Sequence, residues 1–212
     1  MRRSKGQIYR ACVKRTLDII FSLLLLLLLC LPMMIIAVAI RSDSSGRAIF
    51  SQRRCGRRGK EFICYKFRTM YESAPKSTPA AQLCGGNTHI TRVGRILRKT
   101  SLDELPQLFN VLRGDMSLVG PRPLIREEGE IHEWRMRRGV YELRPGITGM
   151  AQINGRNLIS NEEKLRQDTY YLNNVGILLD AKILFATLHS VLRREGIDAK
   201  EVKENNEKRN IF

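Results

Sequence analysis

Residues 19–40 read IIFSLLLLLLLCLPMMIIAVAI, 22 positions without a charge. At ~1.5 Å per residue, a helix of that length covers a hydrocarbon core of ~30 Å. Pro32 interrupts it, because proline gives no backbone N–H and its ring clashes with the preceding turn. The arms on either side come to roughly 20 Å and 13 Å if helical, each too short to cross. Arg2, Arg3, Lys5, Arg10, Lys14 and Arg15 precede the segment, and Arg41, Arg47, Arg53, Arg54, Arg57, Arg58 and Lys60 follow it. Basic flanks stay on the cytoplasmic side of a membrane, and here both flanks claim that side. A re-entrant helix broken at Pro32, entering and returning on one face, satisfies both. A single spanning helix satisfies the length but not the charge rule. A cleaved signal peptide matches Ala37-Val38-Ala39, but the run is too long and Arg41 follows at once. The carbonyl freed at the break needs a partner inside lipid. Ser22 lies too far away to serve it, and Cys30 is a weak donor.

The chain has 212 residues and a formal net charge of +16. Residues 1–60 hold 13 Lys+Arg against 2 Asp+Glu, and the remaining 152 hold 24 against 19. The excess therefore flanks the apolar segment, which points to anionic membrane lipid. A nucleic-acid binder would interleave aromatic residues with its basic ones, and Arg53 to Lys60 carries none. No nucleic-acid partner is expected. The five cysteines are odd in number and form no CxxC pair, so neither a disulfide framework nor a zinc site is indicated.

The expected fold is α+β: a mostly helical single globular domain with small β hairpins, on the N-terminal re-entrant helix. Residues 1–41 form the basic N-terminus and membrane helix, 42–196 the cytoplasmic catalytic domain, and 197–212 a charged, disordered tail. Within the domain, 41–47 reads as a polar turn. AIFSQ and EFICYKF flank the basic loop Arg53 to Lys60 as a hairpin. Residues 72–87, rich in Ser, Pro, Ala and Gly, read as a mobile loop. A basic stretch, Ile90 to Lys99, leads into a helix over 102–113. An acidic-then-basic helix follows at 125–138, then a turn-rich run and Ala151-Gln152-Ile153 before the turn pair Asn154-Gly155. Helices over 161–173 and 178–194 finish the fold. The last alternates apolar with charged residues and suits either core packing or the membrane interface.

The stretch that carries chemistry is 98–112, RKTSLDELPQLFNVL. Leu105, Leu108, Phe109 and Leu112 form one apolar helical stripe. Asp103 points about 160° away from Leu105 at 100° per residue, beside a helix N-terminus whose free N–H groups favour anions. The plainer reading is a capping box, Ser101-x-x-Glu104, with ordinary first-turn acids. Cations surround the pair in sequence: Arg98 and Lys99 precede it, Lys66 and Arg68 close EFICYKFRTM, and Arg122 stands between two prolines. A guanidinium on so fixed a backbone suits the bidentate gripping of phosphate. The alternative is a rigid surface turn with a solvated arginine.

Three segments in order, YKFRTM (65–70), LRKTSLDELPQLFNVLRGDMSLVGPRP (97–123) and RPGITGMAQINGR (144–156), resemble the signatures of bacterial monotopic phosphoglycosyl transferases. The similarity runs from Lys14-Arg15 to about Gly196. It is nearest to the small stand-alone members that begin glycan assembly on undecaprenyl phosphate. The resemblance implies a ping-pong transfer at the cytoplasmic face of the inner membrane. Asp103 would attack the β-phosphorus of a UDP-sugar and release UMP, and undecaprenyl phosphate would then take the sugar phosphate. Glu104 would help bind Mg²⁺. Arg98 and Arg122 fall on phosphate-contacting positions, with Lys66 a third, and Arg68 joins them as a substrate-binding candidate. A downstream glycosyltransferase is a further partner it suggests. The chain departs from the pattern at Leu31, where Ser is frequent, at Met150, where Trp is common, and at Asn173-Asn174-Val175-Gly176. The competing non-enzymatic reading is an adaptor on anionic lipid, which leaves Asp103, Glu104 and Arg122 without purpose.

Overall fold

The computed structural model describes Tyr9 and residues 13–74, 89–155 and 159–193. The basic residues at 2–10, most of the 72–87 loop and the 197–212 tail lie outside the described residues.

Helix α1 spans Lys14–Asp43, with Pro32 inside. The backbone stays helical across this residue, so Pro32 does not end the helix as expected. A proline forfeits its own hydrogen bond, but the turns on either side keep theirs. At ~1.5 Å per residue the helix is about 45 Å long, yet both of its ends are fastened to the same globular body. Near the start, Arg15 Nη1 and Nη2 donate to Val111 O (2.6 Å) and Leu112 O (2.9 Å), two carbonyls in the last turn of a later helix. The buried carboxylate of Asp18 accepts from Ser117 Oγ at 3.1 Å and Leu118 N at 3.0 Å. Lys14 pairs with Asp180 at 2.6 Å. At the other end, Ile40 packs with Phe67 and Leu97, and Met33, Ile36 and Ala37 join them. Asp43 Oδ2 accepts from Val93 N at 2.9 Å. Between these anchors Leu24, Leu27, Leu28 and Leu31 are exposed. Ser22 is buried. The helix runs on to Asp43, into the polar turn expected at 41–47.

Strands β1 (Ile49–Cys55) and β2 (Glu61–Phe67) form the expected antiparallel hairpin, with Ile49 opposite Phe67 and Cys55 opposite Glu61. The basic stretch expected at 90–99 is itself a helix, α2 (Arg92–Thr100), capped by the Thr91 side chain, which accepts from Gly94 N. Val93 and Leu97 face the core from one side of it. The helix expected over 102–113 is two pieces: a 3₁₀ turn, Leu102–Glu104, and α3, Gln107–Arg113. Pro106 is the cause. It has no N–H to offer Leu102 O, so Leu105 N takes that carbonyl instead at 3.3 Å. Phe109, placed in the apolar stripe, is exposed, while Asn110 is fully buried. Asn110 accepts from Tyr65 N at 3.0 Å and donates to Ile63 O at 2.6 Å, which locks α3 to the edge of β2.

Beyond α3, β3 (Ser117–Val119) pairs in parallel with β4 (Gly146–Thr148). The helix expected at 125–138 divides at Gly129 (φ 72°) into a 3₁₀ turn, Arg126–Glu128, and α4, Ile131–Arg137. Met150–Ile153 makes one helical turn, α5. Helices α6 (Asn161–Asn173) and α7 (Ile177–Arg193) close the domain. Tyr171 and Ile183 from these two pack with Val119 and Leu143 as the second core. Leu178, Phe185 and Leu188 on α7 remain exposed, so only one face of that helix is core.

Candidate active site

The site lies where β2, the 102–104 turn and the segment after β3 converge. Asp103 and Glu104 sit on the 3₁₀ turn, which leaves a left-handed Ser101 (φ 55°). No side-chain cap forms there. The expected capping box is therefore absent, and the Glu104 carboxylate is used elsewhere. It accepts from Lys66 Nζ at 2.8 Å and lies 3.5 Å from Arg122 Nη1. Asp103 is half-buried, and burial raises its carboxyl from the usual range to about 6. Lys66, Arg98 and Arg122 oppose that rise, while the neighbouring Glu104 adds to it. The arrangement holds one carboxylate between three cations, which suits an attack on an anionic phosphate.

Each cation is delivered by a separate element. Lys66 comes from β2. Arg98 comes from α2, where its Nε donates to Thr69 Oγ1 at 2.9 Å. Gly94, one turn earlier, makes that approach possible, since a Cβ there would lie 2.1 Å from Thr69 O. Arg122 comes from the segment Pro121–Leu124, whose two prolines cannot donate backbone hydrogen bonds. All four of its carbonyls are gripped from outside: Pro121 O by Gly146 N (2.9 Å), Arg122 O by Arg135 Nη1 (2.8 Å), Pro123 O by Arg54 Nη1 (2.9 Å) and Leu124 O by Cys55 N (2.9 Å). Gly120 and Gly146 let this segment abut β4, since a Cβ on Gly146 would lie 2.1 Å from Gly120 N. The fixed backbone expected around Arg122 is thus secured by four external partners.

Of the sequence candidates, Asp103, Glu104, Lys66, Arg98 and Arg122 come together, and Arg68 does not. Its buried guanidinium turns to the end of α1, donating to Ser44 O at 2.7 Å, Ser44 Oγ at 3.0 Å and Ser45 O. There it satisfies oxygens just beyond the last turn of α1, as a helix C-terminus requires.

Sequence reasoning missed Arg54, Gln107, Arg135 and Gln152. Arg54 had been grouped with the headgroup-facing loop, yet it lines the recess beside Lys66, Glu104 and Arg122. Burial lowers its guanidinium's pKa, and Arg122 nearby adds to the effect. The period of two along β1 carried the signal, since Arg53 is exposed and Arg54 is turned inward. The recess, about 210 Å³ including its open mouth, is completed by Gln107, Ile147 and Gln152. Cys64 also borders it, but burial raises its thiol, so it stays protonated there. Among the described residues no group of three or more His, Cys, Asp or Glu forms a self-sufficient metal site.

A family model described as bacterial sugar transferase matches residues 9–194. The chain belongs to that family. It is 42% identical over 185 residues to the uncharacterised sugar transferase EpsL of Bacillus subtilis, covering 87% of this chain and 90% of that one. It is 41% identical to the UDP-glucose:undecaprenyl-phosphate glucose-1-phosphate transferase of Caulobacter vibrioides, covering 90% and 74%. Against the undecaprenyl-phosphate galactose phosphotransferase of Salmonella typhimurium it is 41% identical, over 87% of this chain but only 41% of that longer protein. The resemblance read from the sequence holds, and the chain is an enzyme of the phosphoglycosyl transferase type.

Proposed function

We propose that the chain transfers a sugar 1-phosphate from a UDP-sugar to undecaprenyl phosphate, as the first membrane step of a polysaccharide or glycoconjugate assembly. The observation that carries this is Asp103 flanked by Lys66, Arg98 and Arg122 beside Glu104. An Asp103 carboxylate oxygen bonds to the β-phosphorus, and the bond from that phosphorus to the bridging oxygen breaks. UMP leaves with the electron pair, and the sugar phosphate stays on Asp103 as an acyl phosphate. An oxygen of undecaprenyl phosphate then attacks the same phosphorus, the bond from that phosphorus to the Asp103 oxygen breaks, and the Asp103 carboxylate is regenerated. Arg122 and Arg98 hold the phosphate oxygens in line, and Lys66 offsets the charge that builds there.

The donor set fits Mg²⁺ in the way that ion is often bound, by one or two carboxylates with substrate phosphates supplying further oxygens. Glu104 would hold it, and the ion would neutralise the diphosphate. Glu104 would then give up Lys66 for the ion, leaving the Lys66 ammonium free to face the phosphate oxygens of the substrate.

The membrane association of the chain has its basis in α1, apolar and exposed through its middle. Its topology, in our reading, is re-entrant on the cytoplasmic face of the inner membrane. Both ends of α1 are tied to one body, which a straight crossing helix would not allow. Exposed Arg57, Arg58 and Lys60 are available to anionic lipid.

The test is a turnover assay with purified full-length chain, UDP-sugars and undecaprenyl phosphate. UMP release, and a radiolabelled sugar phosphate retained on the protein when acceptor is omitted, are expected. UMP release that occurs only with acceptor present, with no retained label, would overturn the covalent route.

A further inference from the structure

Gln152 lines the recess and carries a buried polar atom that the described residues leave unused. Gln152, on the single turn α5, donates from Nε2 to Ile147 O at 2.7 Å. That bond fixes which way the amide points, because turning it over would set two acceptors against each other. Oε1 is therefore an acceptor by chemistry, and it is buried with no hydrogen-bond partner among the described residues. An unpaired buried acceptor is costly, so such atoms are scarce in folded chains. The neighbouring backbone keeps the space around it clear, since a Cβ on Gly149 would approach Gln152 Oε1 to 2.8 Å. The same recess is lined by Lys66, Glu104 and Arg122.

We infer that Gln152 Oε1 accepts a hydrogen bond from the sugar of the nucleotide-sugar donor, and so reads which sugar is carried. This rests on the proposed reaction, which puts the β-phosphate against Asp103. Cations answer the phosphate oxygens, but a neutral amide oxygen needs an O–H or N–H. The α-phosphate carries no donor. Of the substrate's donors, those nearest the β-phosphorus are ring substituents of the sugar close to its anomeric carbon, whereas the ribose and base lie beyond the α-phosphate. A site built to pair such a group discriminates against analogues lacking it, because its own acceptor is then left buried and empty.

The probes are the best-used UDP-hexose from a panel, its single-deoxy analogues, and UMP, which carries the nucleoside without the sugar. Turnover of the parent donor tests the underlying reaction independently of Gln152. On the wild-type enzyme, one deoxy analogue should lose roughly 10- to 100-fold in kcat/KM. In Gln152→Met the parent donor should fall by a similar factor, and the parent-to-deoxy ratio for that analogue should collapse toward one. UMP should inhibit both proteins equally. A general folding defect would lower both donors together and leave the ratio intact. An unchanged ratio for every analogue overturns the inference, and so does a proportionate weakening of UMP inhibition, which would move the contact to the nucleoside.

Discussion

Two ion pairs 2.8 and 2.6 Å long do opposite work in this molecule. Lys66–Glu104 keeps side chains 18% and 20% exposed at the edge of the recess, whereas Arg135–Asp168 is closed at 3% and 2%. In the proposed reaction the first would be prised open by a diphosphate or a metal, because solvent reaches both partners. The second cannot be reached. Burial raises the Asp168 carboxyl, and Arg135 opposes the rise. The closed pair nonetheless serves the open one, since Arg135 also holds Arg122 O, and Arg122 reaches Glu104. A carboxylate paired with a cation thus serves as an open contact or as framework, and accessibility separates the two.

The largest effect should come from the open side. Asp103→Asn keeps shape but removes the attacking anion, and UMP release should fall at least ~10³-fold, the scale of losing a nucleophile. Because burial disfavours the charged form of Asp103, the melting temperature should hold or rise slightly. Loss of both activity and fold would mean that Asp103 belongs with the framework. Removing the closed pair should do the reverse. Asp168→Ala strands the Arg135 charge, at a cost of about 3–5 kcal/mol. Denaturant unfolding checks this, and a wild-type midpoint would break the comparison.

The next effect sharpens it. Glu104→Gln frees Lys66, which is partly solvated, so stability should change by less than about 1 kcal/mol. The rate and its dependence on Mg²⁺ should both drop. Activity indifferent to chelator and to this change alike would remove Glu104 from metal binding.

How far these roles could be read in advance depended on sequence distance. Strand β2 and the 161–173 helix match their expected spans, because alternation and the Ser160 cap are local signals, whereas β1 runs on through residues 53–55, expected to be loop. Helix α2 was hidden by four basic residues in 92–100 that obscure the Val93 and Leu97 face. Asp103 and Glu104 were legible as a pair, but the reason they are exposed to cations is Pro106, which splits their helix. Arg68 and Arg122 looked alike on the page. One ended on the end of α1 and the other on Glu104, and only long-range packing separates them. Arg135 and Asp168 carried no signal, being 33 positions apart on helices with ordinary surface composition.

The smallest effect tests whether Arg122 acts by shape or by charge alone. Arg122→Lys keeps the cation but loses the planar fork, and a lysine cannot bridge two phosphate oxygens in one plane. The backbone that presents it would be unchanged, because its four carbonyl contacts do not involve the side chain. KM for the UDP-sugar should therefore rise roughly ten-fold, at about 1.4 kcal/mol per ten-fold. Arg57→Lys, in the exposed turn, removes a guanidinium that donates to Glu142 O at 2.9 Å. It should leave KM within about two-fold, as solvated contacts contribute little. Titrating both variants against salt separates the terms further, since a contribution from the general field fades with screening while a bidentate contact largely persists. Equal KM changes that vanish together at high salt would reduce Arg122 to one more charge on a basic surface.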